Sequence, residues 1–123
     1  MDLVFNILQG LVGLAFLAAG GMKAMQPKEK LAENMTWVED FSDNQVKMIG
    51  GAEVLGGLAL LLSLFVTSQL GLLLGGLAGI CLAVLMAGAA YTHVRRNEMS
   101  MIAPGAILGV LALVIGLELF GIF

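Results

Sequence analysis

Glu53, Lys23 and His93 are the residues of this chain whose types and spacing could support chemistry. Each lies in or at the edge of a strongly apolar run, and a charge at the centre of a membrane helix costs about 2.5–3.5 kcal/mol on insertion scales. A side chain kept there needs a partner or a ligand. Glu53 sits seven residues past Val46, where its apolar run begins, so about 10 Å inside a helix rising 1.5 Å per residue. On that helix it shares a face with Gly50, Gly57 and Leu60. Lys23 ends an earlier apolar run at the same side, within reach of a long side chain curling inward. His93 and Tyr91 close a third run there, about 200° apart around the axis, so one of the two is expected to face the interior. Asn6 and Gln9 open a stripe that continues through Gly13, Phe16 and Gly20 to Lys23 in three- and four-residue steps. Together Lys23, Glu53, His93 or Tyr91, with Asn6 and Gln9, are the candidate ligand-binding residues. Glu53 could pair with Lys23 as an ion pair or stay protonated if desolvation dominates. Either state could hydrogen-bond the head of a quinone-like or other lipid-like small molecule. The alternative is a buried pair that sets helix register and binds nothing.

Other chemistries are excluded or disfavoured. No nucleophile–base constellation and no cofactor motif is present, so the isolated chain is not expected to be an enzyme. The single cysteine, Cys81, cannot make an intrachain disulfide, a Cys-x-x-Cys pair or a thiolate cage, and with one histidine no metal site is expected. Cys81 reads as a small buried hydrophobe. No basic patch with interleaved aromatics is present, so nucleic acid is not an expected partner.

The elements that must hold these residues follow from hydropathy. The chain is 59% hydrophobic and 12% charged, with mean hydropathy +0.99, whereas a soluble domain carries about 25% charged residues. Spans of about 20 apolar residues are expected at about 3–22, 46–66, 70–92 and 103–121, within one membrane domain over 1–123. The first lacks the basic n-region of a signal peptide and is read as a span. Ser42 and Gln45 match a capping box ahead of the second. Thr67, Ser68 and Gln69 are expected to form a tight turn, and Pro104 suits the first turn of the fourth span, which is expected to run to the chain end at Phe123. Irregular backbone is not tolerated facing lipid, so the expected fold is all-α, an antiparallel up-down-up-down four-helix transmembrane bundle. In the loop over 23–45, Pro27 to Val38 is expected to form a short amphipathic interfacial helix with Leu31, Met35 and Val38 on one face. Trp37 and Phe41 suit the headgroup region.

All six basic residues, Lys23, Lys28, Lys30, Lys47, Arg95 and Arg96, flank two loops on one side. The positive-inside rule then makes loops 23–45 and 93–102 cytoplasmic and both termini external, with a bacterial inner membrane the expected location. Gly71, Gly75 and Gly79, with Gly105 and Gly109, recur every four residues. Such GxxxG spacing brings helices close, and it is expected to close the bundle or, alternatively, to join two copies as a homodimer.

Three segments carry a family resemblance: Phe16-Leu17-Ala18-Ala19-Gly20-Gly21-Met22-Lys23, then Ile49-Gly50-Gly51-Ala52-Glu53-Val54-Leu55-Gly56-Gly57, then Tyr91-Thr92-His93 with Arg95 and Arg96 following. In this order and at these separations they resemble the DoxX-like membrane proteins over nearly the whole chain. The resemblance implies a four-helix membrane protein whose family carries its lysine, glutamate and histidine where Lys23, Glu53 and His93 stand. It also implies a place in redox or detoxification systems, some relatives being associated with oxidoreductases that pass electrons to quinone. The apolar tail and Glu118 depart from the basic ending expected of the family. The expected function is a non-catalytic membrane subunit or quinone-binding partner of a soluble or membrane redox protein. The alternatives are a carrier for a small lipophilic compound and a membrane assembly factor.

Overall fold

The computed structural model describes residues 2–33, 35–66 and 68–122. Helix α1 (Asp2–Met25) is followed by a one-turn α2 (Lys28–Leu31), a 3₁₀ helix (Thr36–Asp40), α3 (Asp43–Leu62), α4 (Gln69–Arg95), a 3₁₀ turn (Met99–Met101) and α5 (Ile102–Leu119). Among the described residues there is no strand. Four helical stretches, Leu3–Met25, Asp43–Leu62, Gln69–Arg95 and Met99–Leu119, are long and apolar enough to cross a membrane. The chain is therefore an integral membrane protein, and exposed side chains such as Leu11 (60%) and Leu55 (70%) belong to its lipid-facing surface.

The helix ends differ from hydropathy because hydropathy marks the lipid-embedded stretch, whereas hydrogen bonding marks the helix. The α1 helix continues through Lys23 to Met25 before Pro27, and Lys47 Nζ donates to the carbonyls of Ala24 (3.5 Å) and Gln26 (3.3 Å), which the helix end leaves open. The α3 helix starts at the capping box: Ser42 Oγ accepts from the Gln45 N–H (3.1 Å) and Gln45 Oε1 from the Ser42 N–H (2.9 Å). It ends at Leu62 and not Val66, since the N–H groups of Leu64 and Phe65 turn to acceptors three residues back. The connection expected at Thr67–Gln69 lies partly outside the described residues at Thr67, as does the end expected at Phe123. The interfacial segment is not the single helix expected over Pro27–Val38. It is two short pieces, because Met35 leaves helical geometry (φ −124°, ψ 77°). A single turn is not stable by itself. Burial of Leu31 and Val38 against Val46 of α3 holds both pieces in place.

Close backbone approach organises the long helices. A Cβ placed on Gly20 would lie 2.5 Å from the Gly50 carbonyl, and one on Gly57 would lie 2.7 Å from the Gly13 carbonyl. Rising numbers in α1 thus meet falling numbers in α3, so the two run in opposite directions. Gly79 meets Ala112 and Gly116 of α5, Gly109 meets Met86, and Gly75 meets Ser63. Gly71 packs on the Val66 carbonyl, and Gly105 has only the Met86 sulfur nearby. Phe16, Leu60, Leu82 and Ile115 fill the centre. Cys81, expected to be buried, is exposed. Its helix is apolar on every side, so composition did not mark the lipid face.

Candidate functional site

Gly20 and Gly50 carry no side chains, so α1 and α3 touch where Lys23 and Glu53 project. Lys23 Nζ lies 2.6 Å from Glu53 Oε1, with the two side chains 11% and 2% exposed. The same ammonium stands 5.5 Å from the centroid of Trp37, whose ring meets Phe41 edge-on at 5.6 Å. A cavity of about 480 Å³ opens beside this pair, lined by Lys23, Trp37, Phe41 and Ile49 and by the α4 stretch from Val84 to Arg95 that includes Met86, Thr92 and His93. Of the pair, Lys23 lines the cavity and Glu53 does not.

The end of α4 sets His93. Asn97 takes a positive φ of 58°, which a short polar residue tolerates. This lets the Glu98 N–H reach the His93 carbonyl (2.8 Å) and the Asn97 N–H reach Val94 (3.1 Å), the two bonds of a Schellman ending. Glu98 is thereby folded back over His93, with Nδ1 and Oε1 3.0 Å apart. With Glu98 ionised the carboxylate only accepts, which assigns the hydrogen of this contact to Nδ1. Arg96 ties this corner to the 3₁₀ helix, bonding Asp40 (2.7 Å), Glu39 (3.1 Å) and Glu98 (3.1 Å). The Glu98 hydrogen bond pushes the Arg96 guanidinium up from its ordinary value, against partial desolvation and with Glu39 and Asp40 adding to it. Arg96 thus links the 3₁₀ helix that carries Trp37 to the end of α4.

Of the paired candidates at the end of α4, His93 is the inward one. Its side chain is 12% exposed, whereas Tyr91 is 64% exposed at the cavity rim with Arg95 5.8 Å from its ring. Asn6 and Gln9 do not join this site. Gln9 is about 21 Å from Lys23 along one helix, fourteen residues at 1.5 Å each. It is buried there against Ser63, while Asn6 is exposed. Sequence reasoning missed Trp37 and Phe41 as cavity walls and Glu98 as the partner of His93. Only the turn-forming Asn97 between His93 and Glu98 hinted at the latter.

The model of the DoxX-like family matches residues 7–115, a stretch that takes in every residue of this site. The chain belongs to the DoxX-like family. Neither a curated protein nor a solved structure matches it. In this DoxX-like protein the buried ion pair, the indole and the imidazole form one polar corner at one end of the bundle.

Proposed function

We propose that this DoxX-like protein binds a small amphipathic molecule with a planar, quinone-like head in the Lys23–His93 cavity. It acts as a non-catalytic membrane subunit that presents that molecule to a redox partner. The observation that carries the reading is the Lys23 ammonium, held by Glu53 on one side and facing the Trp37 ring on another. An ammonium has three donors, and one stays free for a ligand carbonyl. His93 supplies a second polar contact, and Trp37 and Phe41 give a flat apolar wall. The volume of about 480 Å³ falls within the roughly 300–1,000 Å³ of small-molecule sites.

The reading includes an orientation, with loops 23–45 and 93–102 cytoplasmic, supported by the six basic residues on that side. It also assigns Gly71, Gly75, Gly79 and Gly109 to closing the bundle and not to a homodimer. The support is that all four are buried within one chain.

Mass spectrometry of the protein extracted from its native membrane tests the proposal. A co-purifying quinone, depleted in Glu53→Gln while helicity is retained, is the expected result. A non-redox lipid in its place replaces the redox subunit with a carrier. A cavity that carries neither, in a protein that isolates no redox partner, overturns the reading.

A further inference from the structure

We propose that the opposite end of the bundle holds a second site, which binds a primary ammonium group. A cavity of about 330 Å³ lies there, lined by Asn6, Gln9, Ser63 and Glu118 with apolar Leu64 and Leu119. Gln9 is 3% exposed. Its amide nitrogen donates to the Leu60 carbonyl (2.7 Å) and to Ser63 Oγ, and Ser63 Oγ donates in turn to Leu60 (3.0 Å). The Leu60 carbonyl can only accept, which fixes the amide orientation and uses both Gln9 N–H donors. Gln9 Oε1 takes no hydrogen bond among the described residues, yet no buried side-chain oxygen among them is left without a partner, so this oxygen is open to the cavity.

Glu118 supplies the charge. It stands in the last turn of α5, half-buried, and has no ion pair among the described residues. All six Lys and Arg residues belong to the other end of the bundle, so the chain offers no basic side chain to neutralise it. Gly121 (φ 79°) turns the backbone after α5, with the Ile122 N–H on the Leu117 carbonyl (3.1 Å), and puts a residue without a side chain at the rim. The groups that remain available include two acceptors, the Glu118 carboxylate and the open Gln9 amide oxygen, beside the exposed Asn6 amide, which carries both donors and an acceptor. A primary ammonium satisfies the two acceptors, through charge and through directed N–H donors. A quaternary ammonium brings the charge without the donors. The apolar flank suits an attached alkyl chain, whether that of a free alkylamine or of an aminophospholipid.

Native mass spectrometry of the full chain, released from nanodiscs of equal phosphatidylethanolamine and phosphatidylcholine, tests this. Phosphatidylethanolamine should be retained at least tenfold over phosphatidylcholine. The preference should vanish in Glu118→Gln and shrink in Gln9→Met, and should persist in Glu53→Gln, which alters only the first cavity. Displacement by octylamine assigns the site to free alkylamines, and resistance to it assigns the site to the lipid headgroup. Equal retention of the two lipids, or a preference unchanged in both Glu118→Gln and Gln9→Met, overturns the proposal.

Discussion

Replacing Lys23 with methionine should leave the Glu53 carboxylate buried at 2% exposure with its cation gone. At 2.6 Å and an effective dielectric of about 20, the direct attraction is about 6 kcal/mol. Much of that is spent on desolvating both groups, and removing one partner of a buried pair costs about 3–5 kcal/mol. Replacing both partners with apolar residues is often neutral or better. Lys23→Met should therefore destabilise the bundle by about 3–5 kcal/mol, and Lys23→Met with Glu53→Leu should return to within about 1 kcal/mol of the parent. Titration from mild detergent into dodecyl sulfate, followed by circular dichroism at fixed micelle concentration, measures all four proteins of the cycle. If the double variant loses as much as the two single variants added together, the pair is not coupled and the site has been misread.

The glycine seam gives a second test. Gly20→Val drives side-chain atoms into the Gly50 carbonyl and should lose stability by about 3 kcal/mol, the upper end of overpacking effects. Gly21→Ala, which meets nothing within 4 Å, should stay within about 0.5 kcal/mol in the same titration. Arg96→Gln removes bonds to partly exposed acids, so stability should change by less than about 1 kcal/mol, whereas acrylamide quenching of Trp37 should rise as the 3₁₀ helix loosens. Cys81, about 18 Å from the start of α4 at 1.5 Å per residue, should resist a charged maleimide in intact membranes and react with a lipid-soluble one. Equal reactivity would place it outside the bilayer.

The four spans were legible because apolar runs of membrane length have one solution in lipid. The depth of Glu53 and its small-residue face were legible for the same reason, as was the capping box at Ser42. What composition could not carry was rotation. The apolar α4 helix has no polar face to mark its inside, so Cys81 was placed in the core although it faces outward, and His93 could not be separated from Tyr91. Apolar Leu64, Phe65 and Val66 extended the hydropathy of α3 past the point where its hydrogen bonds stop. Gln9 was grouped with Lys23 because both share a helical stripe, yet a stripe fourteen residues long reaches from one end of the bundle to the other. Trp37 and Phe41 read as interfacial because their partners, Lys23 and the Arg96 latch, come from distant parts of the chain.

Trp37 is the only tryptophan in the sequence and lies on the wall of the Lys23–His93 cavity, so its fluorescence reports on that cavity alone. The direct measurement is a titration of the purified full chain with a short-chain benzoquinone. Saturable quenching at one molecule per chain, weakened at least tenfold in His93→Leu, is the result the account predicts. Quenching that rises linearly without saturation, and identically in His93→Leu, would contradict it.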